Sequence, residues 1–489
     1  MTSATTEPRP APSPKGELSV QFRGAHSSVL TGIALAVSDL LALSLALAAG
    51  YFIWLFVNPT IPRINTILLL VPLGTIAEFL YSGHYPGLGL TAVEHLRRIC
   101  RGITLVYLLM AAAILLAKDM SAASRGAVLL AWLLSLIAVP LARSLTTHLL
   151  ASRSRWGVPV IIIGAGDTGR AVIRNLRLNR ILGYQPVACL DDDPNKLGDC
   201  EGVPVLGGLL DAAMAAELAG ARHAIVAIPR INGEQLAWHL RRWRQIFPRL
   251  LIVPDLAGIA SLWTEPHDLG GLLGVEIRHN LLDPWNQNIK RALDIVTAAI
   301  GIVLAAPLVA FCAARIKLAS PGSAFYSQER EAQNGLKIRV LKLRTMYPDA
   351  EETLRTHLAG DAAARAEWDR FCKLKHDPRI LPGVGHLLRQ TSLDELPQLW
   401  NILKGEMSLV GPRPFPAYHN ARFDPEFRSV RMQVKPGLTG LWQISARSDG
   451  DIAVQESLDS YYIRNWSIWL DLYILVRTVR TVVSREGAC

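Results

Sequence analysis

The sequence predicts a membrane protein of mixed α and α/β class: a four-helix transmembrane bundle, a Rossmann-like α/β domain, and a third domain anchored by a re-entrant membrane helix. Three observations predict it. Half of the 489 residues are hydrophobic and the mean hydropathy is +0.25, high for a wholly soluble chain. Four apolar runs within residues 28–152 are each about 20 residues long, enough for a helix to cross the hydrocarbon core. Strand and helix patterns then alternate over residues 156–280, which gives a parallel sheet with helical crossovers.

The net charge of +10 suits anionic lipid or a phosphorylated ligand. Nucleic acid is the weakest of the candidate partners and none is expected, because no zinc finger, RNP motif or basic arm is present. The six cysteines are scattered, without a CxxC pair, and read as reduced structural thiols facing a reducing compartment. Residues 1–27 are polar and rich in Pro, Ser and Thr, so a disordered tail without a secretory signal is expected.

The apolar runs begin near Leu30, Asn65, Ile99 and Gly126. Arg9, Lys15 and Arg23 precede the first, Arg97, Arg98 and Arg101 separate the second from the third, and Arg143, Arg153 and Arg155 follow the fourth. The other two loops carry only Arg63, and Lys118 with Arg125. Basic residues stay on the cytoplasmic side, so both ends of the bundle are expected there. Asp39 lies inside the first run. An intramembrane acid is either a functional group or a polar contact between helices.

In residues 156–280, "VPVIIIGAG" reads as a buried strand, "DTGRAVIRNLRLNR" as a helix, and "YQPVACLDDDP", "HAIVAIP" and "RLLIVPD" as further strands. Gly164, Gly166 and Gly169 have GxGxxG spacing between strand and helix, the context of a nucleotide or phosphate site at a helix N-terminus. Asp191 or Asp192, at the end of the next strand, would meet a ribose. The same glycines also serve plain strand–helix packing, which makes the domain structural or regulatory. A membrane-bound NAD-dependent dehydratase or epimerase would need a Tyr-x-x-x-Lys pair, and no tyrosine has one.

The third domain, residues 287–489, opens with an apolar helix over 291–316. Lys290 and Arg291 flank one end and Arg315 and Lys317 the other, which suits neither orientation of a crossing helix. Pro307 removes one backbone hydrogen bond mid-run. A helix-break-helix that dips into one leaflet and returns is expected; the alternative is a kinked fifth span.

"LRQTSLDELPQLWNILKGEMSLVGPRP" carries the chemistry. Leu396, Leu399, Trp400 and Leu403 form the stripe of an amphipathic helix, Gly405 ends it, and Pro397 is tolerated only at its start. Asp394 and Glu395 therefore fall in the cap or first turn, with Ser392 or Asp394 as N-cap. The bland role for Asp394 is capping alone. At a helix N-terminus, however, the macrodipole holds a carboxylate ionised and attracts phosphate. An ionised Asp attacks phosphorus, and neighbouring acids hold a divalent cation. Phosphoryl transfer also needs positive charge around the non-bridging oxygens. Arg389, Arg413, Lys342, Arg344, Lys375 and Arg379 are the candidates, with Lys342 and Arg344 on one face of a strand.

Residues 287 to the C-terminus resemble the bacterial polyprenyl-phosphate hexose-1-phosphate transferases of the monotopic phosphoglycosyl transferase superfamily. The resemblance rests on "KRALDI", the Pro307 break, "SPGSAFYSQER", "LKLRTM", the Asp394 stretch, "VKPGLTGLWQISAR" and "YYIRNWSIWLDL". It departs from the family pattern at Glu331, where Gly usually follows Q-x-R, and at "SPGS". The resemblance implies a two-step reaction. Asp394 attacks a UDP-hexose, with galactose the lead and glucose the runner-up, and expels UMP. Undecaprenyl phosphate then takes the sugar phosphate from the aspartate, initiating O-antigen, capsule or exopolysaccharide synthesis. It further implies Mg2+ on Asp394 helped by Glu395, and phosphates gripped by Arg389 and Arg413. A homodimer is implied too, with the catalytic domain on the cytoplasmic side of the bacterial inner membrane. A non-catalytic scaffold is the competing class.

Overall fold

Residues 28–57 are dominated by Leu, Ala, Ile and Val without a proline, and in the computed structural model they propagate as one helix, α1 (Ser28–Val57). The structure describes residues 28–58, 70–116, 125–152, 156–196, 198–229, 231–254, 264–268, 273–277, 280–371, 374, 377–445 and 452–484. The expected tail, 1–27, and Lys375 lie outside them. Contacts divide the chain into two units, 1–257 and 258–489.

In the first unit, α2 (Leu70–Tyr81), α3 (Ala92–Leu116) and α4 (Arg125–Ser152) join α1. Helices α1, α3 and α4 are long and apolar enough to cross a membrane; α2 is 12 residues as described, the start of its expected run falling outside the described residues. Leu43, Phe79, Ile103, Tyr107 and Val139 pack inside the bundle, while Leu41, Leu45, Leu108 and Leu141 face outward. Asp39 is a polar contact between helices. It is fully buried, pairs with Arg143 of α4, and accepts a hydrogen bond from the Tyr85 hydroxyl at 2.7 Å. Arg143, counted above as a loop charge, lies inside the bundle with the Phe79 and Tyr85 rings against its guanidinium. Such a pair adds little net stability but fixes which helix faces meet, since any other register strands a buried charge.

The α/β domain follows as β1 (Val158–Ile163), α5 (Asp167–Leu178), β2 (Tyr184–Leu190), β3 (Gly198–Cys200), β4 (Val203–Val205), α6 (Ala212–Ala219), β5 (His223–Val226), α7 (Gly233–Ile246) and β6 (Arg249–Ile252). The strand order is β3-β4-β2-β1-β5-β6, parallel except for β3 against β4. Ile161, Ile162 and Ile163 are buried on both faces of the sheet, which is why β1 reads as a continuous apolar run rather than an alternating one.

The second unit opens with a hairpin of β7 (Thr264–Asp268) and β8 (Leu273–Ile277), followed by α8 (Pro284–Ala319). Asp283 caps α8 by accepting from the Trp285 amide, and Pro284 takes the first turn, where a missing N–H costs nothing. The break expected at Pro307 is absent at the level of secondary structure: α8 is one helix of 36 residues with Pro307 inside it. Proline deletes only one hydrogen bond, and the turns on either side keep theirs.

The rest of the unit wraps α8. β9 (Phe325–Glu331) and β10 (Lys337–Leu343) form an antiparallel hairpin. Then come α9 (Ala350–Gly360), α10 (Ala362–Phe371), α11 (Val384–Thr391), α12 (Gln398–Lys404), β11 (Ser408–Val410), α13 (Ala417–Asn420), α14 (Pro425–Arg431), β12 (Gly437–Thr439), α15 (Leu441–Ser445), α16 (Ile452–Arg464) and α17 (Ile468–Ser484). Cys312 and Ile316 of α8 pack with Leu343, Leu381 and Leu388; burying each large apolar side chain stabilises by roughly 1.5–3 kcal/mol. At the other end of α8, the basic pair read as membrane flanks is a set of clamps. Arg291 donates to the Ile402 and Leu403 carbonyls at 2.6 and 2.8 Å, closing the C-terminus of α12. Lys290 donates to Val410 O at 3.0 Å and to Asp471 at 2.6 Å, and Asp294 accepts from the Leu409 amide at 2.9 Å.

Candidate active site

The acid pair sits in a turn between α11 and α12. Ser392 ends α11 in the left-handed conformation, φ 55°, and Leu393–Glu395 make one 3-10 turn. Neither Ser392 nor Asp394 caps a helix through its side chain. An Asp394 cap would accept from the amide two or three residues on, but Pro397 has no N–H and the Leu396 amide is taken by the Leu393 carbonyl at 3.3 Å. Helix α12 therefore begins at Gln398, after the acids. Asn401 ties it to β10, accepting from the Leu341 amide at 3.0 Å and donating to Arg339 O at 2.8 Å. This lock brings Lys342 over the turn.

The two carboxylates have opposite environments. Glu395 Oε1 receives Lys342 Nζ and Arg413 Nη2, each at 2.7 Å. Burial opposes its charge, but Arg413 and Lys342 outweigh that and hold the carboxyl far below the ordinary glutamate range. Asp394 is 8 % exposed and accepts no hydrogen bond from any described residue. Burial, helped by the Glu395 charge, pushes its carboxyl above the ordinary aspartate value against the pull of Lys342, Arg389 and Arg413. The expected ionisation by a helix terminus is thus replaced by a balance of burial and neighbouring charges.

Of the six predicted phosphate-binding residues, three converge here. Lys342 and Arg413 hold Glu395. Arg389 is half-buried on α11, makes no ion pair among the described residues, and acts on Asp377 and Asp394 through its charge. Arg344 is a correction. It follows the end of β10, and its guanidinium donates to Pro321 O and Ser320 O at 2.7 and 2.8 Å, closing the C-terminus of α8. Arg379 is also a correction: it grips Asp377 through two hydrogen bonds, 2.7 and 2.6 Å, over the Trp368 ring. Lys375 lies outside the described residues.

Three residues were missed by sequence reasoning. Asn401 has partners 60 residues away, which no local pattern signals. Arg431 supports the Arg413 loop from beneath. It donates to Arg413 O and, at 2.8 Å, to Asn420, and pairs with Asp459 between the Phe415 and Phe423 rings. Arg330 lies on the face of β9 that carries Lys342 on β10; its place in the Q-x-R stretch was the available signal.

Asp394 has free oxygens that fit one carboxylate ligand of Mg2+, an ion that commonly takes one or two carboxylates plus substrate phosphates. Glu395 already carries two cations on Oε1, so a third beside them meets repulsion. Among the described residues no group of three His, Cys, Asp or Glu side chains forms a complete metal cage.

At the glycine motif, Gly164 has φ +110°, and a Cβ on Gly169 would fall 1.9 Å from Gly164 O, so both glycines serve close strand–helix packing. Gly166 faces open space. Asp191 accepts from the Ala165 and Asp193 amides at 2.8 and 2.9 Å and pairs with Lys196. Its carboxylate braces the loop rather than standing free for a ribose.

Comparison with known proteins gives two family matches: a bacterial sugar transferase model over residues 285–485 and a CoA-binding domain model over residues 82–254. The chain is 35 % identical to undecaprenyl-phosphate galactose phosphotransferase of Salmonella typhimurium over 362 residues, 73 % of this chain and 75 % of that protein. It is 35 % identical to the UDP-galactose-lipid carrier transferase of Erwinia amylovora, covering 75 % and 76 %. Identity to the UDP-glucose:undecaprenyl-phosphate glucose-1-phosphate transferase of Escherichia coli is 30 %, covering 64 % and 66 %.

Proposed function

The chain belongs to the bacterial sugar transferase family, and from that premise we propose that it transfers a hexose-1-phosphate from a UDP-sugar to undecaprenyl phosphate, releasing UMP. The galactose-named relatives match over more of the chain, 73 % and 75 %, than the glucose-named ones, 64 % and 41 %, which favours galactose; glucose is the second reading, with 40 % identity to one glucose-named relative. The observation that carries the proposal is the unpaired, buried carboxylate of Asp394 beside a glutamate locked by two cations.

An Asp394 oxygen attacks the sugar-bearing phosphorus. The bond to the bridging oxygen breaks, and UMP leaves with the electron pair. A phosphate oxygen of the lipid then attacks the same phosphorus and displaces the aspartate. Arg389 and the free arm of Arg413 take the non-bridging oxygens, where charge-assisted hydrogen bonds are strongest. Glu395 holds Lys342 and Arg413 in place. Asp394 and the substrate phosphates would hold Mg2+, which when bound neutralises phosphate charge.

The lipid substrate requires a site at the membrane surface. Both ends of α8 pack on the same domain, through Arg291 with α12 and through Ile316 with Leu343 and Leu388. This supports a helix that enters and leaves one leaflet, with the domain on the cytoplasmic face of the inner membrane. The test is UMP release by purified protein with undecaprenyl phosphate, Mg2+ and a panel of UDP-hexoses. UMP from UDP-galactose, abolished in Asp394→Asn, is expected; UMP release undiminished in that variant contradicts the reading.

A further inference from the structure

We propose that Asp459, on α16, is a positioning residue for the transfer reaction: through Arg431 it fixes the backbone of Arg413, and with it the place where the Arg413 guanidinium meets Glu395 and the donor's phosphate. The proposal rests on the transfer read above and adds to it a side chain that stands outside the reacting groups.

The loop that carries Arg413 is short of hydrogen-bond donors. Residues 411–416 read GPRPFP, and Pro412, Pro414 and Pro416 have no N–H. Such a loop is anchored through its carbonyls. Pro412 O accepts from the Gly437 amide at 2.9 Å, Phe415 O from the Glu331 amide at 3.2 Å, and Pro416 O from the Asn420 amide at 3.1 Å. For the Arg413 carbonyl the donor is a side chain, the Arg431 guanidinium.

Arg431 is buried, and each of its nitrogens has a use. Nη2 donates to Arg413 O, Nη1 to Asn420 Oδ1 at 2.8 Å, and Nε faces Asp459 Oδ2 at 3.4 Å. The Phe415 and Phe423 rings stand 5.1 and 5.2 Å from its central carbon. Asn420 in turn donates to Glu331 at 2.7 Å, which leaves its amide oxygen turned to Arg431. Among the described residues Asp459 is the acid that pairs with Arg431. Its carboxyl, pushed up to about 6 by burial against the pull of Arg431, is ionised at neutral pH.

Helix α16 holds the same segment a second time. Tyr462 lies three residues after Asp459 and so on the same face of the helix. Its hydroxyl donates to Val410 O at 2.9 Å, and both side chains are buried. One face of α16 therefore sets both ends of residues 410–413.

A buried ion pair adds little net stability and is often replaceable by apolar groups. What this pair supplies is placement. It fixes the carbonyl of the residue whose guanidinium lies 2.7 Å from Glu395 Oε1. A displacement of about 1 Å at a group that grips the reacting phosphate costs on the order of 100-fold in rate.

The experiment is a double-mutant cycle on UMP release by full-length protein in lipid vesicles with undecaprenyl phosphate, Mg2+ and UDP-hexose. Asp459→Asn leaves Arg431 without its anion and is expected to slow release about 10- to 100-fold. Arg413→Met is expected to slow it about 100-fold and leave a measurable rate. In the Arg413→Met background, Asp459→Asn should then cost less than about twofold, because its route to the site is gone. A side chain that only stabilises the fold would cost the same factor in both backgrounds. If Asp459→Asn fails to fold, Arg431→Lys, which keeps the charge and loses the fork, takes its place in the same cycle with the same expected outcome. Equal losses in the two backgrounds, or unaltered release in Asp459→Asn alone, overturn the assignment, as does an Arg413→Met variant with the parent's rate. A parent that releases no UMP sinks the reaction itself and this assignment with it. A working parent with equal losses sinks only the assignment.

Discussion

Arg413 Nη2 lies 2.7 Å from Glu395 Oε1, and that contact divides the labour between two adjacent acids. Glu395 is committed to Arg413 and Lys342, whereas Asp394 keeps its lone pairs. Asp394→Asn should therefore lower UMP release by at least about 10⁴-fold, the scale of losing an attacking group. Glu395→Gln should cost roughly 10–10³-fold by releasing the two cations. Initial rates on folded variants check this, and a Glu395 variant as dead as the Asp394 variant would assign the nucleophile wrongly.

The pH profile follows from the same pair. Burial raises the Asp394 carboxyl, and only the ionised form attacks. The rate of UMP release should fall as pH drops through that raised value, so the acid limb lies above the ordinary aspartate pKa of about 3.9. Glu395→Gln removes a repelling charge and should move the limb to lower pH. Arg389→Met removes an attracting charge and should move it higher. kcat/KM against pH reports the free enzyme; shifts of the opposite sign would contradict the electrostatic account.

Arg344 shows where strand logic misled. Alternation along "VLKLRTM" places Lys342 and Arg344 on one face, but β10 ends at Leu343. One residue beyond the ladder, Arg344 turns back to the carbonyls of Ser320 and Pro321. Arg344→Met should lower unfolding free energy by about 2 kcal/mol and leave KM for UDP-hexose within about twofold. Denaturant melts beside donor titrations check it, and a selective rise in KM would return Arg344 to the substrate.

The topology of α8 is tested by cysteines at its exposed ends. Trp285→Cys and Leu318→Cys should both react with an impermeant maleimide from the face that holds the catalytic domain. Labelling from opposite faces would make α8 a crossing helix.

Apolar runs and strand–helix alternation are local patterns, so the bundle helices and the parallel sheet were legible in the sequence; the stripe read on α12 was not the buried face, since Trp400 is half exposed and Gln398, Asn401 and Ile402 are buried with Leu399. The cluster of Asp394, Glu395, Lys342, Arg389 and Arg413 was legible too, because a short motif packs most of it together. The remainder depends on partners distant in the chain. Asp39 meets Arg143 across 104 residues, Asn401 meets Leu341 across 60, and Arg291 closes α12 across 111. Arg379 erred in the other direction, since its partner Asp377 is two residues away and local pairing removes the charge that a phosphate would need.

The central claim is covalent loading of Asp394, and peptide mass spectrometry of protein quenched after exposure to UDP-hexose and Mg2+ without acceptor lipid tests it most directly. The peptide holding Asp394 should carry one added hexose phosphate, lost on addition of undecaprenyl phosphate and never formed in Asp394→Asn. An adduct on any other residue, or full turnover with no adduct at all, would contradict the account.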